Sequence, residues 1–241
     1  MDTSPAAMQR LRLVCLVCLL ACAVLPAPAG AAQTVPQDKG FDRLFGYEAL
    51  PAGTQELPIH IRKHWLRTLS IEQKKPCLQR DTSCLPQADA PSWLYLAKKA
   101  SSMEEMELLR TVNAFCNKFP AADAENYGPS DHWPVPADLF NRRAGDAKVY
   151  ALAKYFALRA LGVQDDKLRI VLAHLPERKA VHAMLAVATA KGVFILDNAV
   201  RPIDLLLPAA NYIPRYVPLL MLNEKGRWHF NQDLTPLGAA K

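Results

Sequence analysis

Gly145-Asp146-Ala147-Lys148-Val149-Tyr150-Ala151-Leu152-Ala153-Lys154-Tyr155-Phe156 is the stretch on which the reading of the fold turns. Asp146 is a good N-cap, because its carboxylate can accept from the free N–H groups of a first helical turn. Val149, Leu152, Ala153, Phe156 and Ala160 then recur at helical spacing, and Gly162 supplies a C-terminal stop. The pattern predicts a helix from about Asp146 to Leu161 with one apolar stripe. Ala147 stands at its first turn, where exposed N–H groups and the helix dipole favour negative charge.

Other helices are expected on the N-terminal side. Ser101 followed by Glu104 has capping-box spacing. Behind it Met106, Leu109, Val112, Phe115, Cys116 and Phe119 repeat helically until Pro120. Trp93–Lys99 and a segment opening at His60 are further helical stretches, whereas residues 33–60 form an extended lead-in. A Pro- and Gly-punctuated loop, Ala121–Pro136, carries Ser130, His132 and Trp133 up to the central helix. Strand patterns follow it: Leu168–Leu172, Val181–Thr189, Val193–Leu196, and more weakly Val217–Leu222 and Trp228–Phe230. Helices first and strands afterwards predict an α+β fold with a following antiparallel sheet.

His182 lies on the second of these strands, and Asp197 ends the third with Asn198 beside it. A tight turn at Thr189–Gly192 would bring His182 across from Asp197 or a residue or two beyond. Cross-strand neighbours lie about 4.5–5.5 Å apart at Cβ, within reach of an imidazole–carboxylate hydrogen bond. A nucleophilic thiol site needs a cysteine at a helix N-terminus, a histidine base and an Asp or Asn to orient the imidazole. The last two are present, with Asn198 as a substitute orienter. The first position holds Ala147.

The segment around Ala147 resembles the nucleophile segment of the bacterial transglutaminase-like cysteine proteinases, which reads Gly-Asp-Cys-Glu-Asp-aromatic-Ala. The Trp133-Pro134-Val135-Pro136 stretch, the histidine and the aspartate follow the same family order, so the resemblance spans about Leu108 to Phe230. It implies a papain/transglutaminase-like core in residues 101–241, preceded by a lead-in and helical segment in 33–100. The family includes periplasmic, calcium-dependent proteases that release biofilm adhesins. This chain departs from the pattern in three adjacent places. Ala147 replaces the cysteine, and Lys148 and Val149 replace the two acids, leaving Asp146 of the acids associated with calcium. A lysine repels the ion and valine offers it no oxygen. Loss of nucleophile and metal acids together reads as natural decay or repurposing, and neither a metal nor a cofactor is expected.

Residues 1–32 read as an export signal, with Arg10 and Arg12, a short apolar run to Leu25 and small residues at Ala29-Gly30-Ala31. Leu19-Leu20-Ala21-Cys22 offers a competing reading as a lipobox, with Cys22 lipidated. Either way the address is periplasmic, and any membrane attachment would run through that lipid. The whole chain carries +6, falling to about +5 without the leader. No basic cluster is interleaved with aromatics, which argues against nucleic acid. Cys77 and Cys84 bracket a polar loop that a disulfide could close in an oxidising compartment. Cys116, on a helical apolar face, reads as a buried thiol.

Bland readings compete with each candidate. His182 and Asp197 without a nucleophile are readable as a structural pair, and His174 as a structural histidine. His60 and His64 share a helix face, but no third metal ligand is near them. Lys148 is a poor replacement nucleophile, being rotated about 100° along the helix from position 147. Three functions follow. The favoured one is a non-catalytic protein that binds an adhesin segment or a periplasmic receptor domain. An enzyme of altered mechanism using His182 and Asp197, and a structural envelope protein with a filled cleft, are the alternatives.

Overall fold

A computed structural model of the chain describes residues 40–78, 82, 84–122 and 133–231. The export signal with Cys22, and the loop residues Ser130 and His132, lie outside them. The described residues form one compact unit. Five helices lead: α1 (Ile59–Lys74), α2 (Ala90–Lys99), α3 (Glu105–Asn117), α4 (Pro136–Arg142) and α5 (Ala147–Ala160). A small hairpin of β1 (Arg43–Leu44) and β2 (Tyr47–Glu48) precedes them. After α5 come β3 (Leu168–Leu175), β4 (Ala180–Thr189), β5 (Gly192–Leu196), β6 (Leu207–Pro208), β7 (Val217–Leu222) and β8 (Arg227–His229). These six make one antiparallel sheet in the order β6-β5-β4-β3-β7-β8. The α+β expectation holds.

Strand alternation divides the core in two. Leu168, Ile170 and Leu172 of β3, with Ala183, Leu185 and Val187 of β4, face the helices and pack with α5. Val171, Ala173, Met184 and Ala186 face the other way and meet Phe41, Leu44, Phe45 and Tyr47 of the N-terminal hairpin. A lead-in with no hydrophobic period thus helps to cover one sheet face through its large side chains, together with Tyr212 and Tyr216. Arg169 points to that face and is buried there, its guanidinium 4.7 Å from the Phe41 ring centroid and 4.0 Å from that of Trp228. Aromatic stacking lets this weakly hydrated cation sit inside.

α5 is enclosed on nearly every side, with residues 149–158 all buried. Trp65 of α1 lies 6.0 Å from Tyr155 and 6.3 Å from both Phe156 and Trp133, ring centre to ring centre. The N-terminal helices therefore share the central core, and no break in packing marks a domain boundary near residue 100. Asp89, buried before α2, accepts from Lys118 at 2.6 Å and Arg143 at 2.9 Å, tying α3 to the turn after α4.

Local details differ from the sequence pattern. The capping box expected at Ser101–Glu104 does not form. Ala100–Ser102 continue α2 as a 3-10 turn, Ser102 donates back to the Lys99 carbonyl, and α3 starts at Glu105 without a side-chain cap. Helix α4 begins where the expected loop, Ala121–Pro136, ends, in residues the sequence pattern left unassigned. Pro136 sits in its first turn, and Asp138 accepts from the Val135 N–H at 2.9 Å. Cys77 and Cys84 form a disulfide with Cα atoms 5.2 Å apart, and Cys116 is a free, fully buried thiol.

Candidate functional site

The start of α5 and the hairpin β4–β5 face one another across a cleft of about 800 Å³ lined by Trp133, Asp146, Ala147, Lys148, Arg178, His182 and Asn198, among others. On the helix side Asp146 caps α5, its Oδ1 accepting from the Val149 N–H at 3.1 Å. Gly145 has to be glycine, because a Cβ there would lie 2.2 Å from Val149 Cγ1. The Ala147 methyl group thus stands at a well-made helix N-terminus, where a thiol would be acidified. Lys148, one helical step on, lines the same cleft. Its ammonium lies 3.5 Å from Asp146 Oδ2, held by the nearest carboxylate.

On the sheet side, Leu185 pairs with Leu196 and Thr189 with Gly192. This register sets Asp197 one step past the last pair, diagonal to His182, and His182 Nε2 lies 2.7 Å from Asp197 Oδ1. Oδ1 also accepts from the Ala199 N–H at 2.9 Å, and Oδ2 from the Tyr212 hydroxyl at 3.3 Å. The Asp197 carbonyl accepts from Asn117 Nδ2 at 2.9 Å, so α3 holds the strand end in place. Burial opposes the charge on Asp197, yet the His182 bond and charge, the Ala199 N–H and the Lys154 ammonium together hold its pKa below the usual carboxylate value. When the proton on Nε2 is the one shared with this carboxylate, a neutral imidazole has its lone pair on Nδ1.

Beneath the pair lies Lys154, fully buried in the middle of α5 and donating to the Leu196 carbonyl at 3.3 Å. Burial pulls its pKa down to about 8, against Cys116 and Asp197 which favour the charge, while Arg201 disfavours it. Burial pushes the Cys116 thiol up to about 12 despite Lys154 and Lys118, so it is no reactive nucleophile.

The remaining candidates fall as follows. Asn198 does not contact His182; Asp197 does. Asn198 lines the cleft instead, and its buried Oδ1 has no partner among the described residues, as is also true of His229 Nε2 across the cleft. His60 reaches the cleft wall, but among the described residues no three His, Cys, Asp or Glu side chains converge as metal ligands. His174 sits in β3 opposite Val181, outside the cleft lining. Sequence reasoning passed over Asn117, Lys154, Arg178, Tyr212 and His229. Two of these left a signal: Lys154 is a charge inside an apolar helix, and Asn117 lies one turn from Asn113 on a buried face.

Chemically, the sheet half can accept a proton or a hydrogen bond, and the helix half can stabilise an anion. Ala147 provides no atom to attack a carbonyl.

No curated protein sequence matches the chain. Among solved structures, LapG from Legionella pneumophila in its calcium-bound form is similar, with 26% identity and a TM-score of 0.52 over 74% of this chain and 93% of that one. A second LapG structure from the same organism shows 23% identity and a TM-score of 0.49, over 70% and 87% of the two chains. A calcium ion does not fit the residues around Ala147. One oxygen of Asp146 caps the helix, the other meets an ammonium, and Val149 is apolar. The family model for the bacterial transglutaminase-like cysteine proteinases matches residues 70–233, most of the chain, and by that match the protein belongs to the family.

Proposed function

We propose that this protein is a catalytically silent family member that acts in the periplasm by binding an extended protein segment in the cleft between α5 and β4. An adhesin segment or a periplasmic receptor domain is the partner class. The observation that carries this reading is Ala147 facing the cleft it shares with His182, a complete scaffold with a methyl group where attack would begin. One feature favours binding over a purely structural role: the described residues leave the cleft open, with Trp133, Lys148, Arg178 and Asn198 along its walls.

The test compares the mature chain from about Gln33 with Ala147→Cys and with a triple variant adding Lys148→Glu and Val149→Asp. Each is assayed on an adhesin peptide containing Ala-Ala, with and without calcium. Cleavage by the triple variant alone, dependent on calcium, is the expected result, and it would mean that cleft and base remain serviceable. Cleavage by the wild type would overturn the reading in favour of an altered mechanism through His182 and Asp197. If none cuts while all are folded, the groove has been remodelled and binding must lie elsewhere.

A further inference from the structure

Behind His182 a second, smaller cavity of about 180 Å³ opens, lined by Arg178, His182, Asp197, Asn211, Tyr212, Arg215 and neighbouring apolar side chains. It meets the cleft at Arg178 and His182, which line both. The volume suits one side chain rather than a whole ligand.

Its electrostatics are one-sided. Two guanidinium groups reach it from separate elements, Arg178 from the turn before β4 and Arg215 from the segment before β7. Neither has a carboxylate partner or a hydrogen bond among the described residues; Arg215 only leans on the Tyr216 ring, 5.6 Å away. The one acid in the wall is already committed. Asp197 is 1% exposed, with Oδ1 taken by His182 and Ala199 and Oδ2 by Tyr212. Burial foremost, then the charge of Asp197, raises the pKa of the Tyr212 and Tyr216 phenols, so they add no negative charge. Other cations of the described chain are paired with acids: Lys118 and Arg143 have Asp89, Lys148 has Asp146, and Lys167 has Glu105, while the buried Lys154 donates to the Leu196 carbonyl. Two uncommitted guanidiniums facing one small cavity suit a planar, bidentate acceptor.

We infer that this cavity is a carboxylate subsite of the cleft, in which Arg178 and Arg215 together receive one acidic group of the bound segment. The inference rests on the proposed binding of a peptide in the cleft and adds its charge preference. The segment would pass Ala147 and His182 and place an Asp or Glu side chain, or its own terminal carboxylate, one side-chain length behind the imidazole. Asn211 would donate from the rim.

The test uses acetylated six-residue Ala/Gly peptides carrying one Glu, with an amidated end. The same peptide with Gln, an all-Ala/Gly peptide ending in a free carboxylate, and N-acetylglutamate alone are compared with it. Binding to the mature chain is followed by calorimetry and by the NMR Nε–H signals of the two arginines. Arg178→Ala and Arg215→Ala variants, both exposed on the surface, are checked first by thermal melting. The expected result is tenfold or greater preference for Glu over Gln, shifts at both arginines, and loss of that preference in either variant. Preference for the free-terminus peptide instead would assign the subsite to a chain end. Equal binding of Glu and Gln peptides would overturn the subsite and leave the cleft reading standing. Binding of N-acetylglutamate alone would keep the subsite and remove the peptide reading. Failure of every probe would overturn both.

Discussion

The two walls of the cleft have fared differently. The helix wall has an alanine, a lysine and a valine where the resemblance to the family leads one to expect a nucleophile and acids, at a helix start capped by Asp146. The sheet wall retains a histidine and an aspartate, and these are tied to α3 through Asn117, to α5 through Lys154 and to the segment before β7 through Tyr212. A nucleophile touches little except substrate, so its loss costs the fold almost nothing. An orienting aspartate is part of the core, and its loss would strand a half-buried histidine, a phenol and an ammonium. Survival of His182 and Asp197 is therefore what folding alone would enforce. It says less about function than the open cleft and the uncommitted arginines do.

The largest effect should come from breaking the sheet wall. Asp197→Ala removes the acceptor of three hydrogen bonds and the counter-charge of Lys154, and is expected to cost about 3–5 kcal/mol. Urea unfolding of the two proteins measures it. A loss under 1 kcal/mol would mean that the pair is retained for a ligand and not for the core.

The next effect is sharper in pH. In the folded state Lys154 loses its proton near pH 8, whereas the unfolded chain holds it to about 10.4. Between these values the unfolded state binds more protons, so stability rises with pH; below 8 the whole cost of burying the charge is present. Relative to Lys154→Met, the wild type should gain up to about 3 kcal/mol from pH 8 to 10.4. Parallel stability curves for the two proteins would place the amine in contact with water.

Glu72 is the counterexample to Asp197, a carboxyl that is also buried but is served, among the described residues, by one N–H, that of Cys77 at 3.1 Å. Burial raises its pKa to about 7, with the Cys77 bond acting against the rise. The folded state holds this proton longer than the unfolded one, so its stabilising effect is complete below about 4.5 and is lost as pH rises through 7. Glu72→Gln should stabilise the protein by about 1–2 kcal/mol at pH 8, allowing for water at the edge of the site, and by nothing at pH 4. A gain at both pH values would trace the effect to packing.

Much of this was legible in the residues. The α5 helix carries its cap, stripe and stop in sequence, and the β4–β5 turn fixes the register that joins His182 to Asp197. Helix α4 was not legible, because its seven residues are too few to show a period. The hairpin at Arg43–Glu48 was hidden for another reason: its fit depends on a sheet formed more than a hundred residues later. The Ser101–Glu104 cap had the right spacing, but α2 runs on as a 3-10 turn and takes its place. Arg178 and Arg215 lie far apart in the chain, and only folding brings them to one cavity.

The smallest effect belongs to the helix wall. Ala147 is half-buried and lines open space, so Ala147→Cys adds one sulfur without displacing a neighbour and should change stability by no more than about 0.5 kcal/mol. The new thiol would stand at a helix N-terminus, across from His182 and near the Lys148 ammonium, all of which favour the thiolate. Its pKa should therefore fall below the ordinary value of about 8.5 by roughly one unit or more. The rate of alkylation by iodoacetamide against pH reads that value directly, and the disulfide and buried Cys116 leave the background low. Together with the loss expected for Asp197→Ala, a well-tolerated and acidic thiol in the Ala147→Cys variant would show that only the helix wall was free to drift. A cost above about 2 kcal/mol, or a thiol of ordinary acidity, would mean that the two walls have closed on each other and that the cleft is no longer the working surface.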